Sequence, residues 1–194
     1  GGGRSDLSKP VTANRASDNY ATISGGGYNR AGNGNSDTTD AEYATVSGGY
    51  LNTANGRQAT VGGGADNMAV YRATIAGGLT NRALGSYSAI PGGYLNTTLG
   101  NYAFAAGKRA KANHDGAFVW ADSTAADFAT GKADEFAVRA SGGVLFRTGG
   151  GLSVENSSGQ SVFAIDSKGK LTKGTLTNSD LSFSITLFTR EIED

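Results

Sequence analysis

The middle of the chain repeats a short alternation of small and apolar residues followed by paired glycines. Ala44-Thr45-Val46-Ser47-Gly48-Gly49, Ala73-Thr74-Ile75-Ala76-Gly77-Gly78 and Ser88-Ala89-Ile90-Pro91-Gly92-Gly93 are its clearest copies. Aligned on the central apolar residue, seven copies give a core column of Ile23, Val46, Val61, Ile75, Ile90, Phe104 and Phe118, at steps of 23, 15, 14, 15, 14 and 14 residues. One strong apolar residue per fixed period marks a stacked solenoid, in which each repeat packs only on its neighbours. Within a copy, Ala and Ile or Val share one face of a short strand and Thr takes the other. The paired glycines mark a sharp turn, because glycine takes positive φ without steric cost.

Six residues after the core column stands a turn column of Asn29, Asn52, Asn67, Asn81 and Asn96. Asparagine tolerates the left-handed region better than most residues, so it is expected to hold that conformation here. A small residue two positions later (Ala31, Ala54, Ala69, Ala83, Thr98, Ala112) starts a second short strand, and Gly56, Gly85 and Gly100 close the circuit. The one long step is predicted to carry about eight extra residues within 32–40, a Gly/Asn/Ser/Asp/Thr stretch that reads as a surface loop.

Repeat length selects the architecture. Fourteen residues at about 3.3 Å each trace about 46 Å, which fits a flattened two-sided coil with rungs about 4.8 Å apart. The predicted fold is therefore all-β, a parallel β-roll one side chain thick with about 14 residues per rung. Each rung buries one large side chain, worth about 1.5–3 kcal/mol. Each ordered residue costs about 1–2 kcal/mol in backbone entropy. So thin a roll is under-filled alone, and side-by-side association of copies is expected.

The Ala-Thr-Val-x-Gly-Gly-x-x-Asn-x-Ala-x-Gly pattern resembles the head of trimeric autotransporter adhesins, the YadA-like head, over residues 20–121. The run from Ala105 to Asp122 is similar to the closing repeat of such heads in bacterial and phage surface proteins, and Phe136–Val144 to the segment that follows them. The resemblance implies a left-handed roll with three chains around a common axis. No membrane-anchoring barrel, heptad stalk or self-cleaving chaperone pattern follows, so it does not imply the autotransporter secretion route.

The expected organisation is an N-terminal extended arm or linker over 1–19, β-roll repeats over 20–122 and a β-rich C-terminal collar or prism over 123–194. Strand candidates in that last part are Glu135–Val138, Val144–Arg147, Val162–Ile165 and Leu181–Thr189, with turns at 149–151, 157–159 and 167–169. Val162–Leu171 resembles shaft and collar repeats of trimeric fibres. Leu181, Phe183, Ile185 and Leu187 alternate with polar residues. That strand either closes the chain's own sheet or adds to a partner's edge and links subunits end to end.

Composition narrows the partners. The 17 Lys plus Arg balance 17 Asp plus Glu, which leaves no net attraction for nucleic acid or anionic lipid. No apolar run approaches the roughly 18 residues a membrane-spanning helix needs. The chain starts at Gly1 with no signal peptide, and reads as a processed product or a piece of something longer.

Candidate chemistry is sparse. His114 is the only histidine, so a nucleophilic triad has one candidate base, and its repeat position predicts a turn residue beside Asp115. Asp115, Asp122 and Asp127 with His114 match no zinc or calcium spacing. Arg57, Arg72, Arg82, Lys108, Arg109 and Lys111 read as scattered solvating charges. The glycine-rich stretches lack the following helix of a phosphate site. No catalytic residue, cofactor or metal site is assigned. Tyrosine is the better lead: Tyr50 and Tyr94 share one column, and Tyr20, Tyr43 and Tyr87 another. They either form a ligand surface, with an apolar face and a hydroxyl, or cover roll edges and subunit contacts. Trp120 is expected to plug the last rung.

The function read from the chain is a non-catalytic homotrimeric adhesin-like module for attachment or display, extracellular, at a cell surface or on a virion, with a host protein or glycan as ligand. Its alternatives are a structural subunit of an extracellular filament that polymerises through terminal strands, and a phage or injection-system tail fibre.

Overall fold

A computed structural model describes residues 13–168 and 171–173. The chain divides after Gly143 into two units. In the first, two-residue strands alternate along the chain: β1 (Arg15–Ala16), β2 (Thr22–Ile23), β3 (Arg30–Ala31), β4 (Thr45–Val46), β5 (Thr53–Ala54), β6 (Thr60–Val61), β7 (Met68–Ala69), β8 (Thr74–Ile75), β9 (Arg82–Ala83) and β10 (Ala89–Ile90). β11 (Gly93–Tyr94), β12 (Thr97–Thr98), β13 (Phe104–Lys108), β14 (Ala110–Ala112), β15 (Phe118–Ala121), β16 (Phe128–Ala129) and β17 (Phe136–Arg139) complete it. The chain crosses between two sheets at each turn. One runs β1-β3-β5-β7-β9-β12-β14-β16; the other runs β2-β4-β6-β8-β10-β13-β15-β17, with β11 also on β13. Every pairing in both is parallel, so this unit is a β-solenoid of about 8 turns with rungs of about 15 residues.

The interior is one layer of small side chains. Ala44, Ala59 and Ala73 enter from one corner, Val46, Val61, Ile75 and Ile90 from one sheet, and Ala54, Ala69 and Ala83 from the other; all are buried. Ile23, on the first strand of its sheet, is half-buried. Where Ser88 and Thr98 replace two alanines of one rung, they do so together: the Thr98 hydroxyl donates to Ser88 Oγ at 2.7 Å, leaving neither buried hydroxyl unpaired.

The core column departs from expectation at its last two members. Phe104 pairs with Ala89 and Phe118 with Phe104, so both continue the outward column of Thr22, Thr45, Thr60 and Thr74. Ala105 and Val119 are the buried residues. The reason is one missing residue. Ala89 to Phe104 is a step of 15, but Gly93 to Gly107 is a step of 14, so the sixth rung turns its corner with one residue fewer. A slip of one sends each side chain to the opposite face. It also fits the space, since an interior sized by alanine and valine has no room for phenylalanine. Trp120 follows the same parity: it pairs with Ala106 and Val138 on the outer face, 40% exposed, and plugs nothing.

The roll is longer than 20–122. Asn14 to Ala16, expected in the arm, pair with the rung of Arg30 and Ala31. At the other end Phe136–Arg139, expected in the C-terminal region, adds an eighth strand to the second sheet, after a step of 18 from Phe118. The long step of 23 falls between β3 and β5, and residues 32–40 form the loop that takes it up, through successive turns in which Asn33, Asn35 and Asp37 each accept from the amide two residues on.

The asparagines hold their column differently from expectation. The residue before each one, Tyr28, Leu51, Asp66, Thr80 and Leu95, has positive φ. The asparagine itself turns its amide into the corner. Asn67 Nδ2 donates to Gly63 O at 3.0 Å in its own rung and to Gly78 O at 2.8 Å in the next, while its Oδ1 accepts from Asn81 N at 3.0 Å. The same pattern runs from Asn14 to Asn96, whose Oδ1 accepts from Ala110 N. Buried backbone groups at a turn need partners, and one short amide per rung supplies them.

The second unit is an antiparallel sheet of β18 (Leu152–Glu155), β19 (Ser161–Ile165) and β20 (Leu171–Lys173). β18 was not expected; its pairing of Val154 with Phe163 gives a short alternating segment a partner. The expected strand over 144–147 does not form, and Val144, Leu145 and Phe146 are exposed. Leu181, Phe183, Ile185 and Leu187 lie outside the described residues.

Candidate functional site

The first six rungs each turn one corner on a residue of positive φ that precedes a small residue, buried in all but the first. In successive rungs these are Tyr20, Tyr43, Gln58, Arg72, Tyr87 and Tyr102, with φ between 55° and 60°. The geometry follows from the roll: the chain must reverse within one residue so that the next, Ala44 or Ala73 for instance, enters the core. The side chains therefore stack along the roll axis. Tyr20 and Tyr43 rings lie 4.9 Å apart at 7°, and Tyr87 and Tyr102 5.3 Å apart at 9°. Between the pairs, Arg72 donates to Gln58 Oε1 at 3.0 Å and to the Tyr87 hydroxyl at 2.6 Å, with its guanidinium 5.2 Å from the Tyr87 ring centre.

This is the column expected for Tyr20, Tyr43 and Tyr87, lengthened by Tyr102. Tyr102 escapes the sequence pattern because the one-residue slip at Phe104 moves it to a different column. Arg72, read as a scattered charge, belongs to the ladder. The stacking also changes what is on offer: one face of each ring is covered by its pair partner, and the column presents the outer faces, ring edges, hydroxyls and a guanidinium. The four tyrosines are 46–70% exposed. Such a strip makes hydrogen bonds and apolar contacts together.

Tyr50 and Tyr94 occupy the opposite corner, in one column with Ala65 and Leu79 between them. Two rungs separate their rings. Tyr50 meets Tyr28 edge-on at 5.3 Å.

The polar candidates go separate ways. His114 occupies a turn, its carbonyl accepting from Ala117 N, and its Nδ1 meets Thr130 Oγ1 at 3.2 Å, where Asp115 was the expected neighbour. Asp115 accepts from Asn101 N, and Asp127 pairs with Arg109 at 2.8 Å. Arg57 pairs with Glu42, and Lys111 donates to Leu95 O at 2.6 Å. Among the described residues no three of His, Cys, Asp and Glu converge.

Asp122 ties down the end of the roll. It accepts from Ser141 N at 2.7 Å, Arg139 Nε at 3.0 Å and Thr124 N at 3.1 Å. The Ser141 bonds first, then those from Thr124, hold its carboxyl well below the usual carboxylate range. Arg139 in turn donates to Ala126 O and Thr124 O and lies 5.3 Å from the Phe128 ring centre. A carboxylate with a lowered folded pKa adds stability that is fully present above its unfolded pKa of about 3.9 and is lost as pH falls toward the folded value. Asp122→Asn is therefore expected to melt below the native protein at neutral pH, with the gap narrowing as pH falls below about 3.9. Melting curves of both proteins across that range check it; a gap independent of pH would take Asp122 out of the network.

No family model, curated protein or solved structure matches the chain.

Proposed function

We propose that the chain is a non-catalytic attachment module, a trimeric adhesin-like head or fibre piece outside the cell or on a virion, which captures a host protein or glycan at its tyrosine corner. One observation carries the reading. Tyr20, Tyr43, Tyr87 and Tyr102 sit in the left-handed region, where a side chain costs about 1–2 kcal/mol and glycine or asparagine costs less. The tyrosines are nonetheless there, and exposed. The left-handed corner comes with the roll and is shared by Gln58 and Arg72; what points to use is that four of its first six side chains are exposed tyrosines rather than glycine or asparagine. The thin interior and the exposed Val144, Leu145 and Phe146 support association of copies.

The test replaces Tyr43, Tyr87 and Tyr102 together by asparagine. Asparagine suits the backbone, so the fold is expected to remain while binding to glycan arrays and immobilised matrix proteins falls at least about tenfold, the loss of about 1.4 kcal/mol. Unchanged binding by the triple variant, or no binding by the native protein, overturns the proposal.

A further inference from the structure

The tyrosine corner holds a cation that nothing around it neutralises. Arg72 donates from Nε to Gln58 Oε1 at 3.0 Å and from Nη1 to the Tyr87 hydroxyl at 2.6 Å, and both partners are neutral. A guanidinium carries five N–H donors. The remaining ones lie on Nη1 and on Nη2, which has no partner among the described residues. Arg57, Arg109 and Arg139 each face a carboxylate, whereas none among the described residues lies within ion-pair reach of the exposed Arg72. The flanking positions add no net charge over these six rungs. Of the residues just before the corner only Glu42 and Arg57 are charged, and they pair at 3.5 Å. Those two after it, from Thr22 to Phe104, are uncharged. The strip from Tyr20 to Tyr102 therefore runs about 24 Å along the axis, with one fixed positive charge inside it and tyrosines on either side.

We infer that the ligand of this corner is an acidic glycan, whose anionic group meets the Arg72 guanidinium while neighbouring sugar rings lie along the tyrosines. The inference rests on the attachment reading above and names its ligand. A guanidinium held by an amide and a hydroxyl is oriented in advance yet keeps its full charge, and its planar fork of donors suits a carboxylate or sulfate. A neutral ligand lying over Arg72 would strip water from an unpaired charge and return nothing for it. The tyrosines supply what the rest of a sugar chain needs: outer ring faces for its C–H faces, and hydroxyls for its own. An extended peptide is the poorer match. Peptides that dock as a strand take main-chain hydrogen bonds from a free edge. Here the amides of Tyr43, Gln58, Arg72, Tyr87 and Tyr102 all donate within the roll, to carbonyls of the preceding rung. A sugar chain has no main-chain ladder to satisfy.

The test uses the full chain and matched glycan pairs: sialyllactose with lactose, hyaluronan oligosaccharide with its carboxyl-reduced form, and chondroitin sulfate with its desulfated form. The first two pairs read a carboxylate and the third a sulfate. The native protein is expected to bind the acidic or sulfated member of at least one pair at least about tenfold more tightly, a preference that fades as salt rises. In Arg72→Gln the preference is expected to vanish, while binding of the other member and the melting temperature stay as they were. Glutamine suits the corner, since Gln58 holds the same conformation one rung away. Arg82→Gln removes an exposed arginine of β9, outside the column, and is expected to leave the preference intact. Equal binding within every pair, a preference that survives Arg72→Gln, or one that Arg82→Gln abolishes as well overturns the inference. Capture of immobilised matrix proteins with no glycan bound also overturns it and leaves the attachment reading standing. A native protein that binds neither sinks the attachment reading itself.

Discussion

Replacing Asn67 by leucine is expected to cost about 3–5 kcal/mol of folding stability and about 10 °C in melting temperature. Leucine keeps the branched shape without any hydrogen-bonding group, and its bulkier methyl groups add an overpacking cost to the loss of the amide. Asn67 Oδ1 accepts from Asn81 N, and Nδ2 donates to Gly63 O, Gly78 O and Asn52 Oδ1. Gly78 O keeps a bond from Ala65 N, and Asn52 Oδ1 keeps one from Asn67 N. Asn81 N and Gly63 O are left without the partners described for them. Each orphaned buried group costs about 1–3 kcal/mol. Because rungs are stabilised by their neighbours, the damage falls on the stack at that level and can divide its unfolding into two steps. Thermal and denaturant unfolding followed by the β signal measures it. A loss below about 1 kcal/mol would mean that water replaces the amide.

The second large effect separates two adjacent glycines. Gly78→Ala is expected to destabilise by about 3 kcal/mol or more, and Gly77→Ala by less than about 1 kcal/mol. Gly78 has φ of 94°, beyond the left-handed well that side chains tolerate. A Cβ there would fall on the carbonyl oxygen of Gly93 in the next rung and within 2.7 Å of Asn81 Nδ2. Rung spacing is fixed by backbone bonds such as Leu79 N to Gly93 O, so the stack cannot open at one place without losing them. A Cβ on Gly77 meets nothing within 4 Å. Paired denaturation curves of the two variants decide it, and equal costs would contradict the stacked corner.

Most of the roll was legible in the chain. Thr45-Val46, Thr60-Val61 and Thr74-Ile75 announce their strands because alternation in a two-faced strand leaves one residue for the core and one for the outside. Gly48-Gly49 and Asn52 announce their corner because few other residues fit it. The tyrosine corner was partly legible, since Tyr20, Tyr43 and Tyr87 keep their spacing from the core column. Tyr102 and the outward Phe104 and Phe118 were not. Counting back from Gly107 at the usual interval lands on Phe104, and only the pairing of Ala89 with Phe104 reveals the shortened corner. The strand Leu152–Glu155 was lost for a related reason: a four-residue alternation has no identity until its partner is placed.

The sequence by itself determined the period, the parallel stacking and the small interior, because those depend on residue size and backbone freedom at repeated positions. Tertiary structure alone decided which of two neighbouring glycines is indispensable, which face the phenylalanines take and what the asparagines bind. These are matters of what lies one rung away, some fifteen residues along the chain and about 4.8 Å off in space, a distance that no local pattern records.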